Sequence, residues 1–101
     1  FRLRQTDGTV YTSATWITPE GQTTAYPDGA FNADPLSTAT VDGRTIPTRW
    51  RVTLPDRDVD VTVAAINDQA WMQTSVPYWE GPITVTGSHT GVGYLEMTGY
   101  E

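Results

Sequence analysis

The chain has 101 residues, twelve acids against six cations, and no cysteine. One domain's core fits that length, and a net charge of −6 repels phosphate backbones and anionic lipid headgroups, so nucleic acid is not an expected partner. Every cation is an arginine and His89 is the single histidine, which excludes a Schiff-base lysine, a thiolate nucleophile, a Cys-ligated metal and a multi-His site; no metal and no cofactor is expected.

Apolar runs are only a few residues long, so no transmembrane segment is expected. No basic stretch precedes an apolar run, which argues against a signal peptide. Phe1 already lies in a predicted strand, with no initiator methionine, so the chain reads as an excerpt or a processed product. Thr is the commonest residue, Val, Tyr and Trp are well represented, and Leu occurs only at Leu3, Leu36, Leu54 and Leu95. That is a strand composition rather than a helix composition.

In chain order, strands are predicted at 1–5, 9–18, 22–26 and 30–33, separated by the turn signals Asp7-Gly8, Pro19-Glu20-Gly21 and Pro27-Asp28-Gly29. The stretch 33–48 reads as a long loop. In the next strand, 48–54, Trp50, Val52 and Leu54 alternate with Arg49, Arg51 and Thr53. Strand 58–66 puts Val59, Val61, Val63 and Ala65 on one face. Strands at 70–76 and 82–86 follow, with a break expected between them because Pro77 and Pro82 each remove a ladder donor. The last strand, 91–100, sets Gly93, Leu95 and Met97 against Val92, Tyr94 and Glu96. One-sided alternation of this kind belongs to antiparallel sheets. The fold class is all-β. A sandwich and a barrel both fit the pattern, and the sequence-adjacent hairpins favour an antiparallel up-and-down barrel, which removes exposed edges.

Four tryptophans, Trp16, Trp50, Trp71 and Trp79, with Tyr78 and Tyr94, are a heavy aromatic load for this length. Such rings fill a core, line an apolar pocket in a small barrel, or form a flat sugar-stacking platform on a sandwich. Glu80 and Glu96 each lie in an apolar, aromatic stretch, Tyr78-Trp79-Glu80-Gly81 and Gly93-Tyr94-Leu95-Glu96-Met97. A carboxyl held in such surroundings has a raised pKa and can donate a proton, which makes both candidate catalytic acids. The preferred reading pairs each with an arginine, such as Arg49 or Arg51, across the sheet, because a buried charge needs a partner. Asp56, Asp58 and Asp60 resemble oxygen ligands for a hard cation, but no closing Glu follows and Arg57 sits among them, so a solvated hairpin corner is the preferred reading. His89, in Gly87-Ser88-His89-Thr90-Gly91, reads as a hairpin tip where Ser88 and the imidazole are not expected to meet. No Gly-x-Ser-x-Gly elbow is present.

The segment Tyr78-Trp79-Glu80-Gly81-Pro82-Ile83-Thr84-Val85-Thr86-Gly87, followed by Gly93-Tyr94-Leu95-Glu96-Met97-Thr98-Gly99-Tyr100, resembles the C-terminal signature of the AttH-like family. That family includes carotenoid 1,2-hydratases (hydroxyneurosporene synthases) and proteins labelled predicted secreted hydrolases. Ile46-Pro47-Thr48-Arg49-Trp50-Arg51-Val52 and the opening Phe1-Arg2-Leu3-Arg4 are similar to upstream parts of the same pattern. The resemblance implies a lipocalin-like (calycin) β-barrel spanning 1–101, the C-terminal domain of a two-barrel protein. Its partners would be a preceding N-terminal β-barrel domain and a hydrophobic small molecule: a terpenoid, polyene or lipid enclosed for hydration or cyclisation. Trp50, Trp71, Trp79 and Tyr94 are then the candidate lining, and a secreted or periplasmic location is implied. Two rivals stand beside this reading: a non-catalytic ligand-binding or bracing module, and a carbohydrate-binding β-sandwich.

Overall fold

A computed structural model describes residues 1–100. Its longest hairpin joins β5 (Asn32–Val41) to β6 (Arg44–Leu54) across the two-residue turn Asp42-Gly43. Both turn residues have positive φ, 47° and 77°, the geometry that matches the twist of paired strands. The loop expected over 33–48 is therefore a pair of strands. Its polar Ser/Thr content and Pro35 concealed it, because β5 is an edge strand that alternates poorly and shifts register at Pro35, Ser37 and Thr38. An edge accommodates both a proline and bulges. Val41 and Ile46, buried at the turn end, anchor the hairpin in the core.

From β6 the chain passes through a one-turn 3₁₀ helix, Pro55–Arg57, into β7 (Val59–Ala65). Next come β8 (Trp71–Met72), β9 (Tyr78–Gly87) and β10 (Gly91–Met97). These strands form one antiparallel sheet in the order β10-β9-β7-β6-β5, with β8 also paired to β9. The break expected between 76 and 82 falls earlier: β9 runs unbroken from Tyr78 through Pro82. β8 pairs with Tyr78 and Trp79, and β7 pairs with Ile83 to Gly87. Pro82 sits where β9 changes neighbour, so its missing N–H interrupts neither ladder.

The N-terminal third makes two small sheets. β1 (Arg2–Arg4) pairs with β2 (Val10–Thr12), and β3 (Ala14–Ile17) pairs with β4 (Thr23–Tyr26). The single strand expected at 9–18 is divided at Ser13. Thr12 fixes the division: its N–H donates to Asp28 Oδ1 at 2.8 Å, and Gly29 N–H donates to Thr12 Oγ1 at 3.0 Å. Among the described residues there is no α-helix, and no helix is long and apolar enough to cross a membrane. All-β architecture is thus established, but no sheet closes into a barrel: β5 and β10 end the large sheet, and neither small sheet pairs with it.

The core lies on the face that the alternation marks. Trp50, Val61, Val63, Ile83 and Met97 are buried together there. Trp79 is 0% exposed, and its indole N–H donates to the Asp68 carbonyl at 2.7 Å.

Candidate functional site

Apolar side chains from the core face of the large sheet surround a cavity of about 580 Å³. Ala33 of β5, Trp50 and Val52 of β6 and Val63 of β7 supply one wall, and Leu95 and Met97 of β10 supply another. Residues 1–4 and 98–100 border the remaining side. Period-two alternation places the wall residues on one face, and the volume falls in the range of small-molecule sites. Two arginines of β1 stand at its border. The Arg2 guanidinium lies 5.4 Å from the centroid of the Trp50 ring. The Arg4 guanidinium lies 4.1 Å from that of Tyr100, and its Nη2 donates to the Gly99 carbonyl at 3.0 Å. Arg2-x-Arg4 spacing was the available signal that both side chains share a strand face. Nothing local, however, pointed to aromatic partners so distant in sequence.

Of the four aromatic residues proposed as lining, Trp50 borders this cavity, 7% exposed and with its N–H on the Pro47 carbonyl at 3.2 Å. Trp79 is sealed in the core. Trp71 is half-buried, with the Arg44 guanidinium 4.2 Å from its ring centroid. Tyr94 is 62% exposed and lies on the opposite face of β10 from Leu95 and Met97. No tryptophan offers a fully exposed ring for sugar stacking: all four are buried or half-buried.

Glu80 and Glu96 face each other directly across the β9–β10 ladder, on the side away from buried Trp79 and Met97. Neither forms an ion pair with Arg49 or Arg51, which corrects the expected pairing. β7 intervenes between β6 and β9, and Arg51 instead grips Asp60 with two bonds of 2.8 and 3.0 Å. Tyr78 joins the two glutamates on this outer face. Its phenol is pushed above the usual range, first by hydrogen bonding to Glu80, then by desolvation and the neighbouring negative charges.

The Asp56–Asp60 corner is spread among separate partners. Asp56 accepts from the Tyr26 hydroxyl at 2.7 Å, Asp58 ends the 3₁₀ turn at φ 53°, and Asp60 holds Arg51. Among the described residues no group of three or more His, Cys, Asp or Glu side chains converges as a metal site. At the β9–β10 tip, Ser88 Oγ lies 2.9 Å from His89 Nδ1, so these neighbours do meet. Gly87, at φ 119°, turns the chain, and Ser88 is tied to β7 by hydrogen bonds to the Asp60 backbone. The pair is exposed, and no carboxylate hydrogen-bonds to the imidazole among the described residues.

Arg51 holds the Asp60 carboxyl below its ordinary range, chiefly through their hydrogen bond. A depressed folded-state pKa gives stability that is present above the unfolded value, near 4, and is lost as pH falls through the folded value. Asp60→Asn should therefore melt slightly below wild type at neutral pH, and the gap should close in acid. Thermal melts of both proteins across that range check the sign. The exposed position makes the effect small.

The family model described as AttH-like matches residues 1–100. No curated protein and no solved structure matches the chain.

Proposed function

The chain belongs to the AttH-like family, and on that premise we propose that it binds a hydrophobic small molecule in the cavity between the large sheet and β1. In this reading it is the C-terminal, lipocalin-like half of a two-barrel protein. With a preceding β-barrel domain it encloses a terpenoid, polyene or lipid for hydration or cyclisation. The observation that carries the reading is the cavity itself: Trp50, Val52, Val63, Leu95 and Met97 turn apolar surface toward a space of about 580 Å³. An apolar space of this size suits the body of a hydrophobic small molecule. Of the candidate lining, Trp50 has this role here, while Trp71, Trp79 and Tyr94 would support or extend the site from outside the cavity. Glu80 and Glu96 would act as acids on a substrate reaching the outer face of β9 and β10.

Binding of the neutral fluorophore N-phenyl-1-naphthylamine tests the cavity. Wild type should bind it with enhanced emission. Val52→Trp, which fills the space with an indole ring, should weaken binding at least about tenfold, the scale of a well-buried apolar contact, while leaving the β-sheet circular dichroism intact. Equal binding by the two proteins would remove the cavity from consideration.

The alternative, a non-catalytic bracing module, draws support from the placement of the glutamates. Glu80 and Glu96 oppose each other across the β9–β10 ladder, out of phase with the Leu95 and Met97 wall, and only Glu96 reaches the border of the cavity.

A further inference from the structure

Resting on the cavity reading above, we infer that the ligand carries an oxyanion head, a carboxylate or a phosphate, on an apolar body, and that Arg2 and Arg4 receive that head. The charge inventory points there. Twelve acids accompany six arginines, and the surroundings of each arginine separate the two at the cavity from the rest. Arg44 pairs with Asp42 and Arg51 with Asp60. Arg57 donates to the Tyr26 hydroxyl, which in turn donates to Asp56. Arg49 is on the outer face of β6, away from the cavity. Arg2 and Arg4 both border the cavity, and among the described residues neither forms an ion pair with a carboxylate.

Each is positioned rather than loose. Arg2 is held against Trp50 and Arg4 against Tyr100. Stacking on a ring uses the flat face of a guanidinium and leaves N–H donors at its rim. Arg4 commits one of them to the Gly99 carbonyl. The remaining donors form a fork suited to a planar or tetrahedral oxyanion. Apolar walls next to half-buried Arg2 lower the local dielectric there and strengthen such a contact. Glu96 also borders the cavity, but its place in the β10 alternation, opposite Glu80 and out of phase with Leu95 and Met97, turns it to the outer face. It does not compete for the arginines. A neutral polyene would fill the apolar space and leave half-buried Arg2 without a counter-charge among the described residues.

The test displaces bound N-phenyl-1-naphthylamine with three competitors that share one chain: decanol, decanoate and decyl phosphate. At least one anion should compete roughly tenfold better than decanol, the scale of a charge-assisted contact, and high ionic strength should erode that advantage. The stronger anion identifies the head. Arg2→Gln and Arg4→Gln should each remove most of the anion's advantage and leave decanol unchanged. If Arg2→Gln fails to fold, Arg4→Gln and the salt dependence decide the matter. Equal competition by all three, unmoved by either substitution, overturns the oxyanion head while the cavity stands. Failure of the fluorophore to bind wild type overturns both.

Discussion

Trp79→Ala should lower the unfolding free energy by about 3–5 kcal/mol, the cost of truncating a fully buried aromatic side chain. Among the described residues no other large side chain is so completely enclosed together with a polar anchor. The ring is 0% exposed, and its N–H is satisfied by the Asp68 carbonyl in the segment between β7 and β8. Truncation opens a void in the core and also strands that carbonyl. Gly81 belongs to the same seat: a Cβ there would stand 3.0 Å from Ala70 Cβ and 3.4 Å from the Trp79 ring. The Trp79-Glu80-Gly81 motif thus pairs a large ring with the cleared space beside it. Urea unfolding of wild type, Trp79→Ala and Trp79→Phe measures the effect. The Phe variant should lose less, because it keeps the packing and gives up the hydrogen bond. A loss below about 1 kcal/mol for Ala, the size of a typical surface change, would contradict a sealed ring.

Gly87→Ala comes next in size, and it acts through the backbone. Gly87 ends β9 at φ 119°, a region that residues with a Cβ rarely occupy. The added carbon would meet the Asp60 carbonyl oxygen at 2.7 Å and the Val61 Cα at 3.1 Å. Both obstacles are main-chain atoms of β7, which cannot turn aside as a side chain would. Conformational strain and overpacking together cost roughly 2–4 kcal/mol. The Ser88 hydrogen bonds to Asp60 should loosen as β9 is pushed from β7, so amide exchange at Ser88 and Asp60 should accelerate along with the loss of stability. Gly91→Ala is the control. It lies at the far side of the same hairpin tip, where an added Cβ meets nothing within 4 Å, and it should be close to neutral.

These two positions and the cavity share a common basis. β9 is the strand on which the sheet depends, paired with β10 along one edge and with β7 and β8 in succession along the other. Damage to Trp79 or Gly87 reaches the cavity through β10, whose Leu95 and Met97 form one of its walls. Fluorophore binding should therefore fall in both variants in proportion to unfolding, whereas Val52→Trp lowers binding with the fold intact.

Strand identity and the faces of the central strands were legible in the sequence. Trp50, Val61, Val63 and Ile83 are buried because a strand's side chains alternate with a period of two, a local rule that needs no knowledge of neighbours. The same rule failed at 33–48, where edge strand β5 is mostly exposed and the start of β6 buries Ile46, Pro47 and Thr48 in succession, so neither leaves an alternating pattern to read. Register, closure and company were decided by the tertiary structure alone. Which strand lies beside β9, whether the sheet joins its own edges, and which of the tryptophans opens on a cavity all depend on contacts between residues far apart in the chain. Arg51 met Asp60 rather than a glutamate because β7 is the neighbour of β6. Trp50 came to face a space bordered by Arg2 and Arg4 because β1 lies along the border of the cavity on the core face of the large sheet. Alternation assigns a side chain to a face, and only the packing of one strand against another determines what that face encounters.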